Sequence, residues 1–290
     1  IHNLKGEIME RNRRSLAVLC LALALPAGQA AAAPGPTERP EEKVEVGPTA
    51  TPVTSVALGS LPVVLQPHPY VDKAKDRQNP LAHEPDQGRR GTWDRSAVPP
   101  DPLAARSLNP THLTPAPLFT FAGIGNPLAC GGCSPPDTVG DVGPTHYMQM
   151  VNATKLAAFN KVGTLVGGPI DLSSLWSSGD CAADAGDPVV SYDPLADRWV
   201  LAQFNGADTL CFAVSQTANP LGTYWIYDFQ TTDFPDYFKI GVWPDGYYVS
   251  TNEANYNAWA FDRVKMLQGL VAGSIKATGF AANFLMPADV

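Results

Sequence analysis

GDPVVSYDPLADRWVLAQF, residues 186–204, parses almost residue by residue into a β-hairpin. Residues 189–192 form a β-branched and aromatic run. Asp193-Pro194-Leu195-Ala196-Asp197 carries turn residues, and residues 198–204 return as the partner strand. Working outward, residues 211–215 read as a third strand, Asn219-Pro220-Leu221-Gly222 as a turn, and residues 224–229 as a fourth. The unit is four antiparallel strands in about 45 residues.

The same layout recurs on both sides. Upstream the order is 137–142, 146–152, 155–160 and 163–170. Downstream it is 238–242, the turn Trp243-Pro244-Asp245-Gly246, 247–252 and 258–262, with 262–268 as a short helical insertion. The aromatic anchors Tyr147, Trp199 and Tyr248 are 52 and 49 residues apart, and Phe159, Phe212 and Phe261 follow them by 12, 13 and 13. Strand-rich units at this period are expected of β-propeller blades. The expected fold class is therefore all-β, with about three blades. Three blades do not close a ring, and Met286-Pro287-Ala288-Asp289-Val290 reads as the opening of another strand. Together with Ile1 at the start, this predicts a piece of a longer reading frame, a truncated propeller. A ten-stranded β-sandwich is the competing architecture.

The chain has 290 residues, 44% hydrophobic and 17% charged, with net charge −8. This acidic balance without a basic stripe argues against nucleic acid, whose phosphates require clustered Lys and Arg. Residues 1–32 read as upstream sequence plus a signal peptide that starts at Met9. Arg11, Arg13 and Arg14 precede an apolar run at 16–25, and Ala30 to Ala33 supply the small residues. A run of ten is too short for a membrane span, which needs roughly 20 apolar residues. The expected localisation is secreted, periplasmic or extracellular.

Export exposes cysteines to an oxidising compartment. Beyond Cys20, four cysteines allow three connectivities. The favoured one pairs Cys181 with Cys211, tying a loop to a neighbouring strand, and closes Cys130–Cys133 as a small local ring. Cys130-Gly131-Gly132-Cys133 lacks the second pair of a zinc ribbon and the His of a haem attachment.

Residues 33–117 form a second region, and 16 of the 28 prolines fall within 34–118. No period of 2 or 3.6 persists there, so the region reads as an extended or disordered arm, with 53–65 able to add to a sheet edge. Residues 118–290 form the propeller domain.

In a blade the first strand is innermost, and the residue before it faces the axial mouth. Asp187 and Asp236 occupy that place, each 12 residues before its anchor, and Asp137 lies 10 before Tyr147. Crowded carboxylates raise one another's pKa and provide an acid/base pair or a cation ligand set. Asp187 and Asp236 are thus the candidate catalytic pair. Asp137, Asp187, Asp236 and the nearby Lys239 are the candidate ligand-binding set. The competing reading makes each Asp a turn cap. Asp180 and Asp184, beside Asp187, are calcium candidates that lack the alternation of an EF-hand loop; no other cofactor is expected. Trp176, Trp225, Trp243 and Trp259 suit either sugar stacking or core packing. His146 is the only histidine after residue 112, which argues against His-based triads and multi-His metal sites.

Residues 135–152 (PPDTVGDVGPTHYMQMVN), residues 186–204 and the phrase from Asp236 to Arg263 resemble a family of secreted bacterial proteins with a propeller similar in kind to sialidases and kelch repeats. The resemblance implies an exported propeller. The chain lacks the S-x-D-x-G-x-T-W box of sialidases, and Arg198 and Arg263 are its only arginines after residue 106. The resulting expectation is a non-catalytic exported propeller that binds glycan or extracellular protein. The alternative is a glycoside hydrolase acting through Asp187 and Asp236.

Overall fold

The computed structural model describes residues 42–65, 117–125, 128, 136–253, 256–280 and 285–289. The signal-peptide region and the Cys130/Cys133 pair lie outside them. The described chain is all-β, built from three antiparallel sheets.

In the first sheet β3 (Val139–Val142), β4 (His146–Val151), β5 (Lys155–Asn160) and β6 (Leu165–Asp171) lie side by side in chain order. The second sheet orders β7 (Val189–Asp193), β8 (Arg198–Phe204), β9 (Thr209–Ser215) and β10 (Tyr224–Gln230) in the same way. The third contains β11 (Asp236–Trp243), β12 (Gly246–Asn252), β13 (Tyr256–Phe261) and β14 (Ala272–Thr278), with helix α1 (Arg263–Gln268) between the last two. Short turns rich in Pro, Asp and Gly keep each pairing local, so sequential strands become neighbours.

The stacking follows from which faces are apolar. Residues 199–204 of β8 are all buried, as a strand covered on both faces must be. Trp199 and Leu201 pack with Met148, Met150 and Leu156 of the first sheet. Val200, Ala202 and Phe204 pack with Phe238, Tyr247 and Val249 of the third. Each large side chain buried this way contributes about 1.5–3 kcal/mol. The first strands also meet, β3 against β7 and β7 against β11.

Two expectations need correction. Within the segment read as an extended or disordered arm, β1 (Lys43–Ala50) pairs antiparallel with β14, whereas β2 (Val53–Thr54) pairs with β10, the edge addition expected of 53–65. One early segment thus closes the outer edges of two sheets, and Leu58 just beyond it is buried. An unpaired edge attracts any free strand, and here the chain itself supplies it. The second correction is one of register. Tyr147 faces Val142, Trp199 faces Tyr192, and Tyr247 faces Val242. The third anchor is therefore Tyr247, not Tyr248; adjacent tyrosines hide a one-residue slip that swaps the two faces of a strand.

Candidate functional site

Asp137, Asp187 and Asp236 come from the entrances to three different sheets, and the fold brings them together. Counting five residues back from Val142, Tyr192 and Val242 gives Asp137, Asp187 and Tyr237, with φ of 41°, 47° and 50°. The left-handed turn therefore repeats at one structural position. Asp tolerates this region better than most residues, whereas Tyr adopts it at a cost. A register shift between Asp236 and Lys239 accommodates the odd residue in the third copy. There the carboxylate sits one place earlier, and the Tyr237 backbone N–H is donated to Asp187.

The four charged groups sense one another. Burial raises Asp187 most, and the charges of Asp137 and Asp236 add to it. Lys239 and the Tyr237 N–H oppose them, and the carboxyl is pushed up to about 7. Asp137 is also raised, by burial first, against the opposing charge of Lys239 and a 2.7 Å bond donated by Asn152 Nδ2. Its carboxyl lies within hydrogen-bonding reach of Asp187. Lys239 is lowered by burial, against the pull of all three carboxylates. Its Nζ donates to the Phe238 carbonyl at 2.9 Å and lies 3.9 Å from the Tyr237 ring centroid. All four charged side chains belong to partly exposed residues. Near neutral pH the Asp187 carboxyl is poised between donor and acceptor, with the carboxyl groups of Asp137 and Asp236 and the amine of Lys239 beside it. Such a set can hydrogen-bond hydroxyl groups or exchange a proton.

The remaining candidates separate. Asp184 accepts from Thr154 Oγ1, from the Ser173 N–H at 3.0 Å and from Ser173 Oγ at 2.7 Å. Asp180 accepts from Gln230 Nε2 at 3.0 Å. The three acids around Cys181 thus turn to separate partners rather than to one shared centre. Among the described residues, no three His, Cys, Asp or Glu side chains are arranged to hold a metal ion. Cys181 and Cys211 form a disulfide that anchors the loop before β7 to β9. Trp176 donates to Asp228 at 2.6 Å, and Trp259 donates to Thr251 and Glu253; both are buried packing residues. Trp225 packs against Gly269, while Trp243 is 40% exposed and donates to the Ala288 carbonyl.

Sequence reasoning missed Asn152 and Tyr237. Asn152 follows directly on the second strand of its sheet, 15 residues from Asp137, and only the strand register brings the two together. Tyr237 contributes a backbone N–H, which no side-chain pattern reveals. Comparison of the chain with family models, curated proteins and solved structures finds no match.

Proposed function

We propose that the three sheets are successive blades of a β-propeller, with β3, β7 and β11 lining its axis. On this reading Asp137, Asp187, Asp236 and Lys239 sit at the axial mouth and bind the hydroxyl groups of a glycan on behalf of an exported, non-catalytic protein. An extracellular protein surface is the other ligand class. The observation that carries the reading is the convergence of three carboxylates and one ammonium from the entrances of three separate sheets. The stacking of the sheets in chain order supports the blades. The Cys181–Cys211 bond fits an oxidising compartment.

A glycan suits this chemistry because sugar hydroxyls both donate and accept, as a partly protonated carboxyl cluster does. The test is binding to an immobilised glycan panel by wild type, Asp187→Asn, Asp236→Ala and Lys239→Met. Asp187→Asn imitates the protonated carboxyl and should keep binding, whereas Asp236→Ala and Lys239→Met should weaken it about tenfold or more, as lost charge-assisted hydrogen bonds do. No glycan binding, or binding indifferent to all three changes, would remove the reading.

The elevated Asp187 favours a second reading, glycoside hydrolysis. A carboxyl near pH 7 beside other carboxylates is how a general acid is poised next to a nucleophile or base. Sugar release by wild type that Asp187→Asn abolishes would select this reading over simple binding.

A further inference from the structure

We propose that the outward face of the third sheet is the seat of a further antiparallel sheet of the same build, whose lead-in is the segment 285–288. The inference rests on the blade reading and extends it to a specific surface.

Cross-strand register defines that face. One row runs Gly241, Tyr248, Ala260, Ile275, Val46; the next runs Lys239, Ser250, Ala258, Ala277, Val44. Lys239, at the axial end, is the only charge in either row. Val46 is 92% exposed, Val44 73% and Ile275 50%. Contiguous exposed aliphatics on a strand surface mark an interaction face rather than a solvated one.

The other two sheets show what covers such a face. The corrected register makes Met148, Val200 and Tyr248 equivalent, and likewise Met150, Ala202 and Ser250. Met148 and Met150 are buried against the second sheet, and Val200 and Ala202 against the third. In the third sheet Tyr248 is half-buried. Ser250 Oγ is buried with no hydrogen-bond partner among the described residues.

The segment 285–289 already lies along β11. The Val242 N–H is donated to Asp289 Oδ1 at 2.8 Å, and Trp243 Nε1 to the Ala288 carbonyl at 2.9 Å. A Cβ on Gly241 would stand 2.1 Å from the Ala288 oxygen, so glycine permits the approach. β7 likewise meets β3 through a backbone N–H donated to a carboxylate, with the roles reversed: Tyr192 of the later strand donates to Asp141 of the earlier one at 2.6 Å. Between the segment and the face is a cavity of about 400 Å³, bordered by Trp243, Tyr248, Ala258, Phe280 and Met286. Its mostly apolar lining fits the side chains of an incoming sheet.

Cysteine accessibility tests the proposal in the protein made from its natural gene. Val46→Cys and Ile275→Cys report on the face, Val264→Cys on exposed α1 is the control, and parent protein corrects for native thiols. If the face is covered, both reporters react with a thiol reagent about 100-fold or more slowly than the control until the protein unfolds. Labelling at the control rate overturns the proposal. Protection that appears only as rising concentration doubles the molecular mass assigns the face to a second copy and likewise overturns it. Free labelling beside intact glycan binding would remove the further sheet and leave the axial site standing. Loss of that binding with a protected face would do the reverse.

Discussion

Arg263 grips Asp193 from 70 residues away, with Nε 2.7 Å from Oδ2 and Nη2 2.9 Å from Oδ1. The carboxylate is fully buried and also accepts from Tyr247 Oη at 2.9 Å and from the N–H groups of Leu195 and Ala196. One side chain therefore closes its own hairpin turn and clamps the second sheet to the third. Removing one partner leaves the other charge buried and alone, which costs about 3–5 kcal/mol. Arg263→Ala should lower urea-unfolding stability by that amount. Arg263→Met combined with Asp193→Asn should lose less than the two single changes together, because neither charge remains stranded. A loss below about 1 kcal/mol for Arg263→Ala would show that the clamp is not a stabilising link.

The Cys181–Cys211 bond closes a loop of 30 residues that contains Asp187 and the hairpin of β7 and β8. By chain entropy, a loop of this length stabilises the fold by about 3–4 kcal/mol. Replacing both cysteines by Ala should lower the thermal midpoint under non-reducing conditions. Reductant should shift wild type in the same direction and shift the double variant less, by no more than opening of the expected Cys130–Cys133 ring contributes. A variant that melts with wild type would show that the loop is held by its packing alone.

Much of this architecture was legible because it is local. The hairpins of the second sheet follow from alternating apolar runs broken by Asp-Pro and Asn-Pro turns, and these elements carry the expected bounds within two residues. β14 was not foreseen. Its AGSIKAT offers only Ile275 and Thr278 as strong strand formers, and its conformation comes from pairing with β13 and β1. The meeting of Asp137, Asp187 and Asp236 was anticipated from their place before each first strand. The left-handed turns at Asp137, Asp187 and Tyr237 and the Tyr237 N–H were not, because backbone angles leave little trace in residue type. Arg263 illustrates the same limit: its partner lies in another sheet, beyond any periodicity.

Gly269 ends α1 with φ 66°, and the following Leu270 N–H is donated to the Lys265 carbonyl at 3.0 Å. A Cβ there would lie 2.4 Å from Trp225 Cε2. Gly269→Ala should therefore combine a left-handed backbone penalty of about 1–2 kcal/mol with displacement of the indole. Gly273→Ala, whose Cβ would meet only Thr49 at 3.7 Å, should remain within about 0.5 kcal/mol of wild type. Chemical denaturation of the pair checks the contrast. Equal effects would mean that neither the turn nor the indole contact constrains Gly269.

Asp187 makes stability depend on pH in a direction opposite to most carboxylates. Burial and the neighbouring carboxylates push its pKa in the folded state up to about 7, above the ordinary carboxyl value of 3.8, so the folded state holds the proton more tightly than the unfolded chain does. Its stabilising contribution is full below about pH 4 and is lost as pH rises through 7. Asp187→Asn keeps the shape and cannot ionise. The variant should unfold at higher denaturant than wild type at pH 8, by on the order of 1–3 kcal/mol, and the gap should close towards pH 4. The same ionisation adds negative charge beside Asp137 and Asp236, so wild-type affinity for a hydroxyl ligand should change between pH 6 and 8 while that of Asp187→Asn stays nearly flat. Carboxyl ¹³C shifts followed across pH 3–9 measure the titration directly. A midpoint near 4 would mean that the cluster is open to water and would remove both the stability effect and the proton donor on which hydrolysis depends.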